Sequence, residues 1–200
     1  HDFNATNGEA FRGVQHIGSE IYAFGINDDP LAPSATGIAL KLSDSGTGSP
    51  AEFITGDFLF HQVLVTDSFV YTLADAPGFA PRRVDRDTFA GVDGGYVPIG
   101  SPTAHTNYVP AGIVQRPDGK IIVVGTSNDS TYDRLTISRY LNDSTGTPDT
   151  TFDTDGTYIT EDNGAQNFVA YDTLYDPATG DLYLCGMGFN GNDPYPQIAR

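Results

Sequence analysis

Short, mostly apolar runs of four residues recur along the chain, each after a cluster of turn-forming residues. They are Ile21–Phe24, Val70–Leu73, Ile121–Val124 and Leu182–Cys185. A run that is apolar at consecutive positions predicts a strand that is covered on both faces. We therefore expect these inner strands to be the most buried segments of the protein, with Cys185 as an inert buried thiol.

A small residue closes each run, and the spacing of these residues indicates a repeat. Gly25, Ala74, Gly125 and Gly186 are separated by 49, 51 and 61 residues. A period of about 50 residues is typical of solenoids, propellers and similar arrays. The turn before the third run, Pro117–Gly119, predicts a hairpin with Gly119 in the left-handed region. No stretch has a sustained period of 3.6 residues, so we expect almost no helix.

A second strand follows each inner strand, at residues 36–43, 81–85, 134–141 and 196–200. The third of these alternates, with Leu135 and Ile137 on one face and Thr136 and Ser138 on the other. Such alternation predicts a half-exposed strand. In the second repeat, Arg82 and Arg83 stand where apolar residues are expected.

A buried inner strand beside wetter outer strands is the arrangement that a propeller blade requires. The sequence thus predicts an all-β, propeller-like array of about four blade units of roughly 50 residues each. Their approximate bounds are 8–56, 57–104, 105–164 and 165–200, within one repeat domain, or a fragment of one, spanning 1–200. The fourth unit stops at Arg200, within its second strand. We expect it to be incomplete, with an open edge. This edge is completed by continuation of the chain beyond Arg200, which we favour, by pairing with His1–Thr6, or by a strand from a neighbouring copy.

The third unit resembles the delta-60 repeat family of bacterial extracellular proteins. The family's Gln, Asp-Gly-Lys and Val-Gly core, its Ala/Ser-Arg-Tyr strand and its Asp-Thr-x-Phe turn correspond to Gln115, Asp118–Lys120, Ser138–Tyr140 and Asp149–Phe152. The fourth unit matches in part, through "LYLCG" and "QIAR". The resemblance implies a propeller-like fold in a secreted or cell-surface protein, and no established activity.

The chain is strongly acidic, with 26 Asp and Glu against 10 Lys and Arg and a net charge of −16. This charge disfavours binding to nucleic acid and to anionic membranes. Most of the acid is Asp, which also favours turns. No apolar run approaches the length of a membrane-spanning helix, so we predict no membrane insertion.

One acidic segment, "DTDGTYITED", has carboxylates spaced as in a calcium loop. Asp153, Asp155 and Asp162 are the candidate metal ligands, because carboxylate oxygens at alternate positions suit Ca²⁺. The alternative is a hairpin turn whose geometry Asp155 and Gly156 supply. The histidines are too far apart for a zinc site, and no other cofactor is indicated.

No catalytic motif selects an active site; in particular there is no G-x-S-x-G elbow. The sequence favours a non-enzymatic, extracellular structural or adhesive module that displays loops for partner binding or assembly. Its expected partners are other protein domains or copies of itself, through edge strands, and an extracellular glycan. The alternative is a carbohydrate-active propeller, either a lectin or a glycoside hydrolase, although the absence of Trp weighs against sugar stacking.

Overall fold

The computed structural model describes most of the chain, in eleven segments. They are residues 8–28, 36–43, 51–55, 60–74, 82–86, 91–96, 106–128, 131–143, 147–160, 166–190 and 193–200. The chain divides into two compact bodies, the first carrying strands β1–β8 and the second carrying β9–β15. Only one short helix, α1 (Asp153–Gly156), occurs among the described residues, as the sequence predicts.

The strands form four antiparallel sheets, each built from strands that are consecutive in the chain. The first sheet contains β1 (Gly8–Ile17), β2 (Glu20–Asp28), β3 (Thr36–Ser43) and β4 (Ala51–Thr55). The second contains β5 (Phe60–Val65), β6 (Phe69–Ala74), β7 (Arg82–Asp85) and β8 (Gly91–Tyr96). The third contains β9 (Thr106–Gln115), β10 (Ile121–Asn128), β11 (Asp133–Tyr140) and β12 (Thr157–Ile159). The fourth contains β13 (Gln166–Asp176), β14 (Asp181–Asn190) and β15 (Asp193–Ala199).

The all-β class is therefore confirmed, and each sheet is a meander in which every strand pairs with its neighbour in sequence. The first three sheets have four strands. The fourth has three, with β15 at its edge. None of these sheets closes on itself within the described part of the chain.

The hairpin before β10 has the predicted turn. Gly119 has φ of +84°, and its N–H donates to the Arg116 carbonyl at 2.9 Å. The Arg116 N–H in turn donates to the Lys120 carbonyl at 2.9 Å. A left-handed glycine after a tight turn is the usual three-residue hairpin loop, because glycine adopts this conformation without a steric penalty.

Burial follows the inner strands in the second and third sheets. Every residue of Val70–Leu73 and of Ile121–Val124 is buried. In the first sheet, Tyr22 and Phe24 are buried while Ile21 and Ala23 are partly exposed. In the second body, Val124 and Leu135 pack against Phe168 and Leu184, so the third and fourth sheets share one apolar core.

Two burial predictions are wrong. Cys185 is exposed, because it lies on the outer face of the fourth sheet rather than on the face that packs against the third. The polar face of β11 is buried instead of exposed, with Thr136 and Ser138 both enclosed. Their hydroxyls are satisfied by the Ser127 hydroxyl at 2.7 Å and the Thr157 hydroxyl at 3.1 Å. Paired hydroxyls can be buried at little cost, and a hydropathy pattern does not register this.

The first strand of every sheet contains a bulge at the same place. In each, one extra residue stands opposite the last residue of the inner run and the small residue that closes it. These closing residues are Gly25, Ala74, Gly125 and Gly186. The extra residues are Arg12, His61, Ala111 and Tyr171. A bulge increases strand twist and bends the sheet locally. The four sheets thus share this irregularity at the same place in their backbones.

Candidate functional site

Several polar side chains of the third sheet and the turn after it meet around one buried carboxylate, that of Asp149. Its side chain is only 3% exposed. Lys120, at the end of the β9–β10 hairpin, places Nζ 2.8 Å from Asp149 Oδ2. Arg139, on β11, donates from Nε to the same oxygen at 2.6 Å. Residues that are far apart in sequence are thus joined into one ionic cluster.

The turn that carries Asp149 supplies further hydrogen bonds. The Thr151 N–H and hydroxyl donate to Asp149 Oδ1 at 3.1 and 2.6 Å. Arg139 Nη2 donates to the Thr151 hydroxyl at 3.0 Å, and the guanidinium lies 4.8 Å from the centre of the Phe152 ring. The Asp-Thr-x-Phe turn is therefore held onto β11 by the side chains that define it.

Electrostatics keep this carboxylate ionised. Burial by itself would raise the pKa of Asp149, but hydrogen bonds from Lys120, Thr151 and Arg139 outweigh it and hold the pKa well below its usual range. With two cations and a hydroxyl around it, both carboxylate oxygens are occupied by protein donors. The geometry is that of an internal ion pair between the hairpin, β11 and the turn.

Arg139 belongs to a position that carries a cation in all four sheets. In register it lies opposite Ile122, the second residue of the inner strand. The equivalent residues are Lys41, opposite Tyr22, and Arg83, opposite Tyr71. Arg200 follows Ala199, which pairs with Leu184, so the same register places it opposite Tyr183. Four of the 10 basic residues of the chain occupy this one position.

In the first and fourth sheets, this cation pairs with the residue just before the inner strand. Lys41 Nζ lies 2.8 Å from Glu20 Oε1, and Arg200 Nη2 lies 2.6 Å from Asp181 Oδ2. The hydrogen bond from Lys41 is the main reason that the pKa of Glu20 is lowered. Burial, together with a 2.6 Å hydrogen bond to Glu20, raises the pKa of Tyr22 to about 12.

The second and third sheets vary the same arrangement. The residue before the inner strand is Phe69 in the second sheet, and the Arg83 guanidinium lies 4.6 Å from the centre of its ring. Arg83 is 1% exposed, and this cation–π contact helps to accommodate the arginine in a predicted apolar position. In the third sheet the residue is Lys120, a like charge, and Asp149 bridges it to Arg139. Every sheet thus links its second and third strands at this point.

The predicted calcium ligands are only partly within the described residues. Asp153 and Asp155 lie in α1 and are exposed, whereas Asp162 lies outside the described residues. Asp155 Oδ1 accepts a hydrogen bond from the Thr157 N–H at 2.8 Å, as in an Asx turn. Among the described residues, no group of three or more His, Cys, Asp or Glu side chains is placed to hold a metal ion.

Sequence reasoning missed the repeated cation, although a signal was present. The second strands "TGIALKLS", "PRRVD", "RLTISRYL" and "PQIAR" each contain a basic residue in a chain with few of them. Pairing register was needed to show that Lys41, Arg83, Arg139 and Arg200 are equivalent. The relation of Asp149 to these cations depends on the third dimension.

Comparison with family models and with curated proteins finds no match to this chain. In the described segments, no helix is both long and apolar enough to cross a membrane.

Proposed function

We propose that the protein is a non-enzymatic, extracellular structural or adhesive module of propeller-like, delta-60 type, which displays loops and binds partners through its sheet edges. Its partners are other protein domains or further copies of the chain. The observation that carries this proposal is the edge of the fourth sheet. β15 forms this edge among the described residues, whereas in the third sheet β12 pairs with the corresponding strand, β11.

The repeated cation supports an architectural role for the polar residues. Lys41, Arg139 and Arg200 each contact a carboxylate in their own sheet, at equivalent positions. A catalytic site needs one unique set of groups, whereas this cation occupies the same position in all four sheets, as is expected of a residue that stabilises each sheet. The most perturbed carboxylate, Asp149, is engaged by protein donors on both oxygens. These charges stabilise a scaffold.

An open strand edge offers a row of backbone donors and acceptors to another strand. β15 is exposed along most of its length, and its Pro194 and Pro196 lack an N–H group. In the third sheet, β12 occupies the corresponding place and pairs with β11 from Thr136↔Ile159 to Ser138↔Thr157. A strand added to β15 would bond in the same way near Gln197–Ala199.

A synthetic peptide with the sequence of residues 153–162 tests this proposal, because it contains the fourth strand of the third repeat. We expect it to bind the protein in calorimetry and to protect amides of β15 from hydrogen exchange. The matched control is the same peptide with alternate backbone N-methyl groups, which cannot form the ladder. Equal binding of both peptides, or of neither, would contradict edge pairing.

A carbohydrate-active module is the second candidate, supported by exposed tyrosines. Tyr171, at the bulge of β13, is 56% exposed, and Tyr158, on β12, is 40% exposed. Exposed aromatic rings are suitable platforms for sugars. Binding on a glycan array that is lost in Tyr171→Ala and kept in Tyr171→Phe would favour this candidate. Hydrolysis of a bound glycan, lost on Asp→Asn substitution, would then identify an enzyme.

A further inference from the structure

Two positions of the repeat form the sheet-on-sheet contact in the second body. On the third sheet, Val124, the fourth residue of the inner strand, packs into the core shared with Phe168 and Leu184. On the fourth sheet, the side chain of Thr173 points toward the third sheet. A Cβ built on Gly112 of β9 would collide with the Thr173 side chain. The third sheet thus contributes the fourth residue of its inner strand to the contact. The fourth sheet contributes the residue that lies opposite the third residue of its own inner strand.

The equivalents of these positions are buried in the other sheets. The residue in the place of Val124 is Phe24 in the first sheet and Leu73 in the second, and both are buried. The residue in the place of Thr173 lies opposite the third inner position. It is Val63 in the second sheet and Ile113 in the third, and both are buried.

Two equivalents are exposed, one in the first sheet and one in the fourth. In the first sheet the equivalent of Thr173 is Val14, opposite Ala23, and it is 70% exposed. In the fourth sheet the equivalent of Val124 is Cys185, which is also exposed. The first sheet therefore exposes the face whose equivalent on the fourth sheet packs against the third. The fourth sheet exposes the face whose equivalent on the third sheet packs against the fourth.

The exposed face of the fourth sheet is largely apolar, with one carboxylate, Asp172, opposite Cys185 in register. Ile198 lies opposite Cys185 in register and is 79% exposed, and Leu174 is 65% exposed. These residues line a shallow groove of about 310 Å³ that reaches Tyr183. Exposed apolar surface of this kind marks interaction sites in soluble proteins. Its equivalent on the third sheet, around Val124 and Ile137, is covered by the fourth sheet.

From these observations we infer that the Cys185–Ile198 face docks against the Val14 face of a second copy of the chain, head to tail. The contact would repeat the one that joins the third sheet to the fourth. Such an interface is heterologous, so it generates rings or open filaments rather than twofold dimers. This inference deepens the proposed function, on which it rests, by assigning the surface through which copies assemble.

The net charge sets a condition on this assembly. Each copy carries −16, so two copies repel one another at low ionic strength. Salt screens this repulsion while leaving apolar contact intact. We expect the mass measured by sedimentation to rise with protein concentration, and to rise more steeply in high salt than in low salt.

The single native cysteine provides a direct test of the contact. Val14→Cys places a second thiol at the centre of the opposite face, and oxidation should produce a ladder of disulfide-linked oligomers on non-reducing electrophoresis. The control, Val109→Cys, places its thiol on an exposed position of β9 outside both faces, and should give no ladder. A disulfide formed within one chain, or a monomeric mass at every concentration and salt, would overturn the inference.

Charge substitution tests the same face without the need for disulfide formation. Ile198→Asp should weaken association by at least about tenfold, because a carboxylate would be enclosed by apolar surface. Val109→Asp should leave association unchanged, and circular dichroism checks that both variants are folded. If Ile198→Asp assembles like the wild type, the Cys185–Ile198 face is not the contact surface between copies. A chain that stays monomeric yet binds the 153–162 peptide would refute this inference and leave the proposed function standing.

Discussion

Arg139 and Asp149 are joined by a hydrogen bond of 2.6 Å from Nε to Oδ2, within a cluster that also contains Lys120. Their backbones are joined as well, since the Asp149 N–H donates to the Arg139 carbonyl at 2.8 Å. The pair fixes the turn after β11 onto the sheet. It is the third sheet's form of a link found at the same register in every sheet.

Removal of this carboxylate should destabilise the protein. In Asp149→Asn, Arg139 and Lys120 would face each other without a counter-charge, so we expect the free energy of unfolding at pH 7 to fall by about 3 kcal/mol. Denaturant titration measures this loss. Asp193→Asn, which changes an exposed carboxylate on β15, is the control and should change stability little.

The effect of Asp149→Asn should depend on pH in a defined direction. The pKa of Asp149 is lowered in the folded state, so its stabilisation is complete above the unfolded value of about 4 and declines as pH falls further toward the folded pKa. The difference in unfolding free energy between the wild type and Asp149→Asn should therefore be constant from pH 6 to pH 8 (roughly) and shrink below about pH 4. A difference that grew on acidification would contradict this assignment.

The effect on stability of a charge at position 69, just before the inner strand of the second sheet, should depend on its sign, because Arg83 is adjacent. Phe69→Glu gives Arg83 a carboxylate, as Glu20 gives Lys41, whereas Phe69→Lys sets two cations together without a bridging acid. We expect Phe69→Lys to be less stable than Phe69→Glu by about 1–2 kcal/mol in thermal or denaturant unfolding. Equal stability of the two variants would show that Arg83 does not take part in the repeated link.

Gly186 has no room for a side chain. A Cβ there would lie 2.6 Å from Cζ of the Phe168 ring and would also collide with the Val169 carbonyl oxygen, which is backbone and cannot rotate away. We expect Gly186→Ala to lower the free energy of unfolding by about 2–3 kcal/mol. Gly188→Ala, on the same strand, meets only the far end of the Tyr195 ring and should cost less. The reverse order in denaturant titrations would refute this packing argument.

The inner strand of the third sheet should not tolerate charge. Val123 is 1% exposed, so Val123→Asp would bury a carboxylate without a partner and should cost several kcal/mol or prevent folding. Val109→Asp makes the same change at a half-exposed position and should be mild by comparison. Soluble yield and thermal melting distinguish the two variants.

Thermal melting with calcium and with EGTA tests whether the acidic segment 153–162 binds calcium. Because Asp155 already caps the Thr157 N–H, we expect equal melting temperatures, as for a plain turn. A ligand that binds the native state must raise stability. A rise with calcium that is lost in Asp153→Asn and Asp155→Asn would instead establish the metal site.

Sequence alone determined the strand content and the turn before β10. Consecutive apolar residues such as Ile121–Val124 form a strand that needs cover on both faces, and the Pro117–Gly119 turn has few other conformations, so both follow from local chemistry.

Tertiary structure alone decided which side chains meet and which faces are covered. Thr136 and Ser138 look like a wet face in sequence, yet hydroxyls on other strands enclose them. Cys185 looks like a core residue, yet it is exposed because it lies on the face of the fourth sheet that does not pack against the third. Arg139 and Asp149 become partners only when the turn folds back onto β11. Local pattern fixes conformation, whereas burial and ion pairing depend on neighbours that are distant in the chain.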